Sequence, residues 1–425
     1  MWSPVPQVGF DCTLAFEEDS SVRTQAIDQA AATVRRRLSV IAIGVATVLL
    51  LGAGWGSRGR DTQPIRIGLA GGLTGSQSFL GQAQQEGVML AVDQINAKGG
   101  IAGRRIDVVS EDDQFDPSRA AAIAQRLISQ DHVDAIIAGT NTGTALVYAK
   151  ACEAAKVPLI VSFASDNRIT QGKQWTFAVD TGVKEDMQAV VAFAKQHFQR
   201  VAVTYDDDAY GQAARDFTLA ELKSLNMTPL AVVAMPDGSL DYGPQIARLQ
   251  STGAQIVVAG DGGSNVAQMA KNMVQVGYEP LVMGPASLAF VSMIDIGGAA
   301  VEHKVWFTDS IDSSNPAFVT FAKAFGAKYH QNPQTGFEPL AYDSMGILAK
   351  AIKQAGGVDK SAVQQALTNI HYAGASGKAG TEISFPAATH RRPGAGINWR
   401  WVTNGKFENV PANLLANPTA LAGKP

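Results

Sequence analysis

Cysteine is almost missing from this chain. Cys12 and Cys152 are the only two in 425 residues, which excludes a disulfide framework and any cysteine-based metal cluster. Cys152 falls inside the apolar helical pattern Ala149 to Ala155, so it is expected to be a buried free thiol. Histidine is also scarce. The six (His132, His197, His303, His330, His371, His390) are scattered, and none lies within four residues of another, so no HExxH zinc helix exists. Neither GxxxxGK(S/T) nor GxSxG occurs. Gly68, Gly71, Gly72 and Gly75 have the wrong spacing for a dinucleotide fingerprint. The chain therefore does not read as an enzyme and calls for no cofactor. A surplus of one charge is lacking too: 17% of residues are charged and the net charge is −3, leaving no basic footprint for nucleic acid. What remains is ordinary globular composition, 46% hydrophobic, with length enough for two domains.

The one long apolar run lies near the start. Arg35-Arg36-Arg37 precede Leu38 to Gly54, and polar sequence resumes at Ser57. A basic cluster before such a run is the layout of an export signal. Residues 35–56 are expected to be a signal peptide cleaved near Ala53 to Ser57 or, uncleaved, a signal anchor. No cysteine follows the run, so no lipid attachment site is present. Residues 1–34 are acidic and weakly patterned; they read as a disordered extension or as untranslated sequence. The expected location is the periplasm or the extracytoplasmic face of the cytoplasmic membrane.

From Ile65 onward strands alternate with helices. An apolar run (Ile65 to Ala70) enters a Gly/Thr/Ser turn (Gly71, Gly72, Thr74, Gly75, Ser76). A helical segment carrying Val88, Leu90, Ala91, Val92 and Ile95 stops at Lys98-Gly99-Gly100. A second strand (Arg105 to Ser110) follows, and Asp116-Pro117 opens another helix as N-cap and first position. Further short Val/Ile/Ala-rich runs are Ala135 to Ala138, Pro158 to Ser162, Val201 to Tyr205, Leu230 to Ala234, Ile256 to Ala259, Leu281 to Met283 and Val305 to Thr308. Such runs suit strands buried on both faces of a parallel sheet. The chain then becomes helical (Asn315 to His330, Leu340 to Ala355, Ser361 to Ile370). It ends in a hairpin, Ile397 to Val402 and Lys406 to Phe407, turned by Asn404-Gly405. The fold class is α/β, with two Rossmann-like parallel-sheet lobes.

Chemistry is expected at strand ends. Gly139 to Thr144 follows a strand and opens a helix, so Thr142 and its neighbours either bind a ligand carboxylate through hydroxyl and free N–H groups or merely cap the helix. Three aspartates (Asp206, Asp207, Asp208) invite a calcium reading, but the twelve-residue loop and its closing Glu are absent; no metal is expected. Asp261, in Gly260 to Ser264, serves either as a ligand-facing acid or as a helix cap.

The motifs LTG (Leu73 to Gly75), INAKGGIAG (Ile95 to Gly103), Asp112-Asp113 with Asp116-Pro117, YDDDAYGQ (Tyr205 to Gln212) and MGP (Met283 to Pro285) resemble the leucine/isoleucine/valine-binding protein family. These are type I periplasmic binding proteins of ABC importers. The resemblance covers Ile65 to Glu408. It implies three crossings between lobes, near Asp180, Thr308 and Pro393, which form a hinge. Lobe one would be 65–181 plus 309–391; lobe two would be 182–308 plus 392–425. A small ligand would bind in the interlobe cleft and the closed protein would dock on ABC permease subunits. A monomer is expected, touching the membrane only through its signal segment or the permease. The resemblance places Thr142, Ala164, Ser165 and Leu80 on the lobe-one wall and Tyr210 on the lobe-two wall.

Three departures stand out. Amino-acid binders of this family carry an acid after MGP that pairs with the ligand ammonium. Here Ala286 follows, and a buried cation without a carboxylate is costly. Leu80 replaces the family's Trp, and no Tyr follows Ile256 to Ala259. Together they imply a roomier pocket, less selective for cations, suited to an aromatic or aliphatic acid as well as to Leu and Ile. Rival readings are a cytosolic sensor, which the export signal opposes, and a receptor domain tethered by an uncleaved anchor.

Overall fold

Apolar runs closed by turn residues set the first sheet. In the computed structural model, which describes residues 63–421 except 76, 310, 334 and 394–397, Ile65–Gly71 (β1) pairs in parallel with Ile106–Asp112 (β2). The expected signal segment, the extension before it and Cys12 lie outside the described residues. Helix Ser78–Ala97 (α1) joins the two strands. Asn96, in its last turn, accepts from the Ile106 N–H at 2.8 Å and donates to the Ile106 carbonyl at 2.9 Å, so the helix end positions the next strand. Asp116 caps Pro117–Ser129 (α2) by accepting from the Ser118 N–H at 2.6 Å, with Pro117 at the first helical position.

Ala135–Ala138 (β3), Thr142–Ala155 (α3), Leu159–Val161 (β4) and Thr176–Ala178 (β5) follow. The sheet order is β2-β1-β3-β4-β5, every pairing parallel. β5 is not among the strands expected from sequence. Three residues are too few to carry a period, and its pairing with β4, with a single bridge from Ala178 to Arg391 on the other side, defines it.

The second sheet begins after Val183–His197 (α4). Its elements are Val201–Asp206 (β6), Ala209–Ser224 (α5), Val232–Met235 (β7), Gly243–Thr252 (α6), Ile256–Gly260 (β8), Gly263–Gln275 (α7), Leu281–Gly284 (β9), Val291–Gly297 (α8) and Val305–Asp309 (β10). Two late strands, Asn398–Thr403 (β11) and Lys406–Asn409 (β12), add antiparallel at the β10 edge. The full order is β12-β11-β10-β9-β8-β6-β7. Asn404 and Gly405 turn the hairpin at φ 51° and 65°, the left-handed pair a type I′ turn requires.

Between β10 and β11 the chain returns to the first sheet. Pro316–Tyr329 (α9), Phe337–Ala355 (α10) and Lys360–Thr368 (α11) are helical. Leu340, Ile347, Leu348, Ile352, Val363 and Leu367 share one core with Ile65, Ile67, Val88, Ile137 and Ile160. α1 crosses α10 so closely that a Cβ on Gly87 would lie 2.3 Å from the Glu338 carbonyl oxygen. A short helix, Ala412–Ala416 (α12), closes the described chain. Cys152 is buried and unpaired, and burial pushes its thiol up to about 12. No described helix is long and apolar enough to cross a membrane.

Candidate functional site

The carboxyl ends of β1, β3, β4, β6, β8 and β9 face one crevice, the place where parallel α/β sheets bind ligands. It holds about 640 Å³ of space, its mouth included. From the first sheet's side come Gln77, Leu80, Thr140, Asn141, Phe163, Ala164 and Ser165, together with Phe337 at the start of α10. The second sheet's side supplies Asp186, Asp206, Asp208, Tyr210, Gly262, Ala286, Ser287 and Phe290, and Asp180 lies on the segment between β5 and α4.

Five of the seven residues singled out in the sequence line this space: Leu80, Ala164, Ser165, Tyr210 and Ala286. Thr142 and Asp261 sit behind it. Thr142 is the first residue of α3, 2% exposed, and its Oγ1 has no hydrogen-bond partner. The cap of that helix is Asn141, whose Oδ1 accepts from the Thr144 N–H at 2.9 Å. Asn141 and Thr140 are the residues of this loop that reach the cavity wall. Asp261 does not cap α7, whose N-cap is Gly262. Its Oδ2 accepts from the Thr204 hydroxyl at 2.5 Å, while Oδ1 has no partner.

Polar groups of the wall are fixed by their neighbours. Ala164 donates its N–H to the Gly139 carbonyl and accepts from the Arg391 guanidinium at 3.2 Å. Tyr210 donates to Ser287 Oγ at 2.9 Å, and Ser287 donates to the Asp261 carbonyl at 2.9 Å. The glycine after Tyr210 is required by close approach: a Cβ on Gly211 would meet the Asp206 carbonyl oxygen at 2.1 Å. The LTG and Asp112-Asp113 motifs prove to be scaffold. Asp112 accepts from the Leu73 N–H at 2.8 Å and the Thr74 hydroxyl at 2.6 Å, tying the first loop to β2.

Electrostatically the wall is one-sided. Four carboxyls line it and no Lys, Arg or His does. Burial raises each of them, with Asp180 pushed up to about 7 against the opposing pull of Arg391. Asp186 rises well above the ordinary carboxylate range through burial and the charges of Asp180 and Glu185. Asp208, the N-cap of α5, rises through burial although it accepts from the Gly211 N–H. Asp206 rises through burial and the neighbouring charge of Asp261, although it accepts from the Asn265 amide and the Gly262 N–H; Asp261 itself is pushed up to about 7 by burial. The two buried carboxyls thus favour their protonated forms more than separate, exposed aspartates would. The sequence reading drew a cavity less selective for cations from Ala286. The wall instead carries its acids at other positions, and Asp180, Asp186 and Asp206 were not singled out. Asp186 reads in sequence as an ordinary first-turn acid, and only the packing of α4 against the strand ends brings it to the cavity.

Comparisons agree with this geometry. The sequence pattern of periplasmic binding proteins matches residues 64–397. A Leu/Ile/Val-binding protein homolog 7 from Brucella abortus is 25% identical over 370 residues, covering 83% of this chain and 92% of that one. The leucine-, isoleucine-, valine-, threonine-, and alanine-binding protein of Pseudomonas aeruginosa is 26% identical over 319 residues, 74% of this chain and 85% of its own. Among solved structures, a leucine-binding protein from Thermotoga maritima superposes with a TM-score of 0.74 at 23% identity, covering 82% of this chain and 98% of its own. A solute-binding protein of an ABC transporter from R. palustris, in complex with benzoate, gives 0.73 at 20% identity, covering 82% and 95%. With the pattern spanning most of its length and both sheets in the order described, this chain belongs to the periplasmic binding protein family.

Proposed function

We propose that the protein is the exported solute-binding component of an ABC importer and works without chemistry of its own. It captures a small carboxylate-bearing solute, of the amino-acid or aromatic-acid kind, and delivers it to permease subunits at the extracytoplasmic face of the membrane. The observation that carries this reading is a single cavity walled by the strand ends of two separate sheets. Closure about three chain crossings, near Asp180, Thr308 and Pro393, would seal the solute from water. Leu80, Ala164, Ser165 and Thr142 would hold it from one side. Tyr210, Ala286 and, through Asp206, Asp261 would close from the other. The solute's acidic end fits the start of α3, where free N–H groups and the Thr140 and Asn141 side chains gather. Phe163, Phe290 and Phe337 supply the apolar wall, with ring centroids 4.9 Å and 5.6 Å apart.

Thermal unfolding of the purified protein against amino acids, aromatic acids and other small solutes tests this. A solute at a hundred times its dissociation constant stabilises the folded state by about 2.7 kcal/mol. Small-angle scattering should register a smaller radius of gyration with the same solute. Stabilisation without compaction would remove the closing mechanism, and silence across a broad panel would remove the importer reading.

A further inference from the structure

On that solute-binding reading, we propose that the solute carries a net positive charge: an organic amine, such as a basic amino acid or a diamine, with its ammonium group among Asp180, Asp186 and Asp208. Three observations independent of one another support this.

The first is charge balance. Asp180, Asp186, Asp206 and Asp208 line the cavity with no cation among the lining residues. Arg391 stands behind Asp180, its guanidinium donating to the carbonyls of Asp180, Thr181, Ala164 and Asp166. Two guanidiniums, Arg391 and the Arg392 that also pulls on Asp180, do not match the five carboxyls Asp180, Asp186, Asp206, Asp208 and Asp261. Desolvated charge without a partner is costly, so these carboxyls ionise together only when a bound cation compensates them.

The second is the nature of the wall. Phe163, Phe290, Phe337 and Tyr210 line the same space. Aromatic faces beside carboxylates suit an ammonium on an organic body. A metal ion fits poorly, because no three acidic, His or Cys side chains among the described residues converge as a metal group would require.

The third lies outside the cavity. A neighbouring hollow beside α1 and α8 is lined by Glu86, Asp295 and Glu338 and again by no Lys, Arg or His. Burial and the Glu338 charge raise the Glu86 carboxyl. Phe79 lines this hollow and packs on Phe290 of the cavity wall at 4.5 Å. Acids at both places focus a field that draws cations inward.

Calorimetry on the intact exported protein tests the assignment with L-lysine, L-arginine, putrescine, L-leucine and benzoate as probes. A basic amino acid or the diamine should bind, with affinity rising from pH 5 to pH 8 and protons released on binding. Asp186→Asn should weaken that binding roughly 10- to 100-fold while raising the melting temperature of the unliganded protein at pH 8, where ionising the buried carboxyl costs stability. A merely structural aspartate would lower it. Asp208→Asn keeps the helix cap and should weaken binding in the same direction. Binding of leucine or benzoate in preference to every amine overturns the charge assignment and leaves the solute-binding reading intact. Binding of none of the five, with no change in scattering radius, overturns both.

Discussion

The two walls of the cavity are built alike and charged differently. Each consists of parallel strand ends followed by helix starts. The first sheet's wall offers hydroxyls, two amides, a helix N-terminus and apolar side chains, none of them ionisable. The second sheet's wall offers Asp186, Asp206, Asp208 and a tyrosine. One architecture thus presents a neutral donor surface and an anionic surface across a single gap. A solute with an acidic end and an ammonium has one orientation that satisfies both. The polarity of the gap is a property of side chains at a few loop positions, and the scaffold beneath is indifferent to it.

The largest expected effect comes from breaking what ties the first sheet's wall to the segment that leads away from it. Arg391 is 3% exposed and its guanidinium serves four carbonyls on β4's loop and on the segment after β5. Arg391→Ala strands those acceptors and removes the positive charge behind Asp180. A loss of about 3–5 kcal/mol is expected by urea unfolding. Arg391→Lys, which supplies three donors without the planar fork, should recover only part of it. Unchanged stability in the alanine variant would mean that the loop after β4 and the segment after β5 are held by other contacts.

Next comes pH. Asp180 and Asp261 are raised to about 7, and Asp186, Asp206 and Asp208 are raised as well. In the unfolded chain aspartate ionises near pH ~4. The folded protein therefore binds these protons more tightly, and their stabilising contribution is complete below that pH. It is lost as pH climbs through the folded values, so the melting temperature without ligand should fall from pH 5 to pH 8. Asp343, raised to about 6 by burial away from the cavity, adds to the same slope. The variant Asp186→Asn/Asp208→Asn should flatten it. A slope unaltered in that variant would place the titration outside the anionic wall.

A third test bears on the neutral wall. Thr142 keeps an unpartnered hydroxyl under the surface. If that hydroxyl meets the solute on closure, Thr142→Ala weakens binding by about 1–3 kcal/mol. Equal affinity in calorimetry would assign the carboxylate end to Thr140 and Asn141 instead.

Legibility followed the range of the interactions. The first loop, the α1 stop and the Asp116-Pro117 helix start were readable because their signals are local: Asn96 bonds Ile106 ten residues on, and Asp116 bonds Ser118. The Asn404-Gly405 turn was readable for the same reason. β5 was not, since three residues have no period and only pairing with distant segments defines it. At the site, residues following a strong strand signal, such as Ala164 and Tyr210, were found. Asp180 and Asp186 were missed, because nothing near them in sequence says that they face Asp206. The loss of the family's acid at Ala286 was visible, whereas the arrival of Asp180 and Asp186 at the cavity wall depends on packing between distant segments.

The smallest effect belongs to Tyr210, the residue the resemblance offered as a cleft-facing ring. Its hydroxyl is already engaged, donating to Ser287 at 2.9 Å, and Ser287 passes the bond on to the Asp261 carbonyl. The ring is therefore held by its own sheet before any solute arrives, and its hydroxyl is not a free donor. Tyr210→Phe removes one hydrogen bond and leaves the aromatic face, so stability should drop by about 1 kcal/mol with affinity changed by less than roughly threefold. Tyr210→Ala, which removes the face as well, should cost binding much more than the phenylalanine variant does. Equal losses in the two variants, measured side by side by calorimetry, would make the hydroxyl rather than the ring the contact. Tyr210 would then count among the polar groups of the anionic wall rather than its apolar ones.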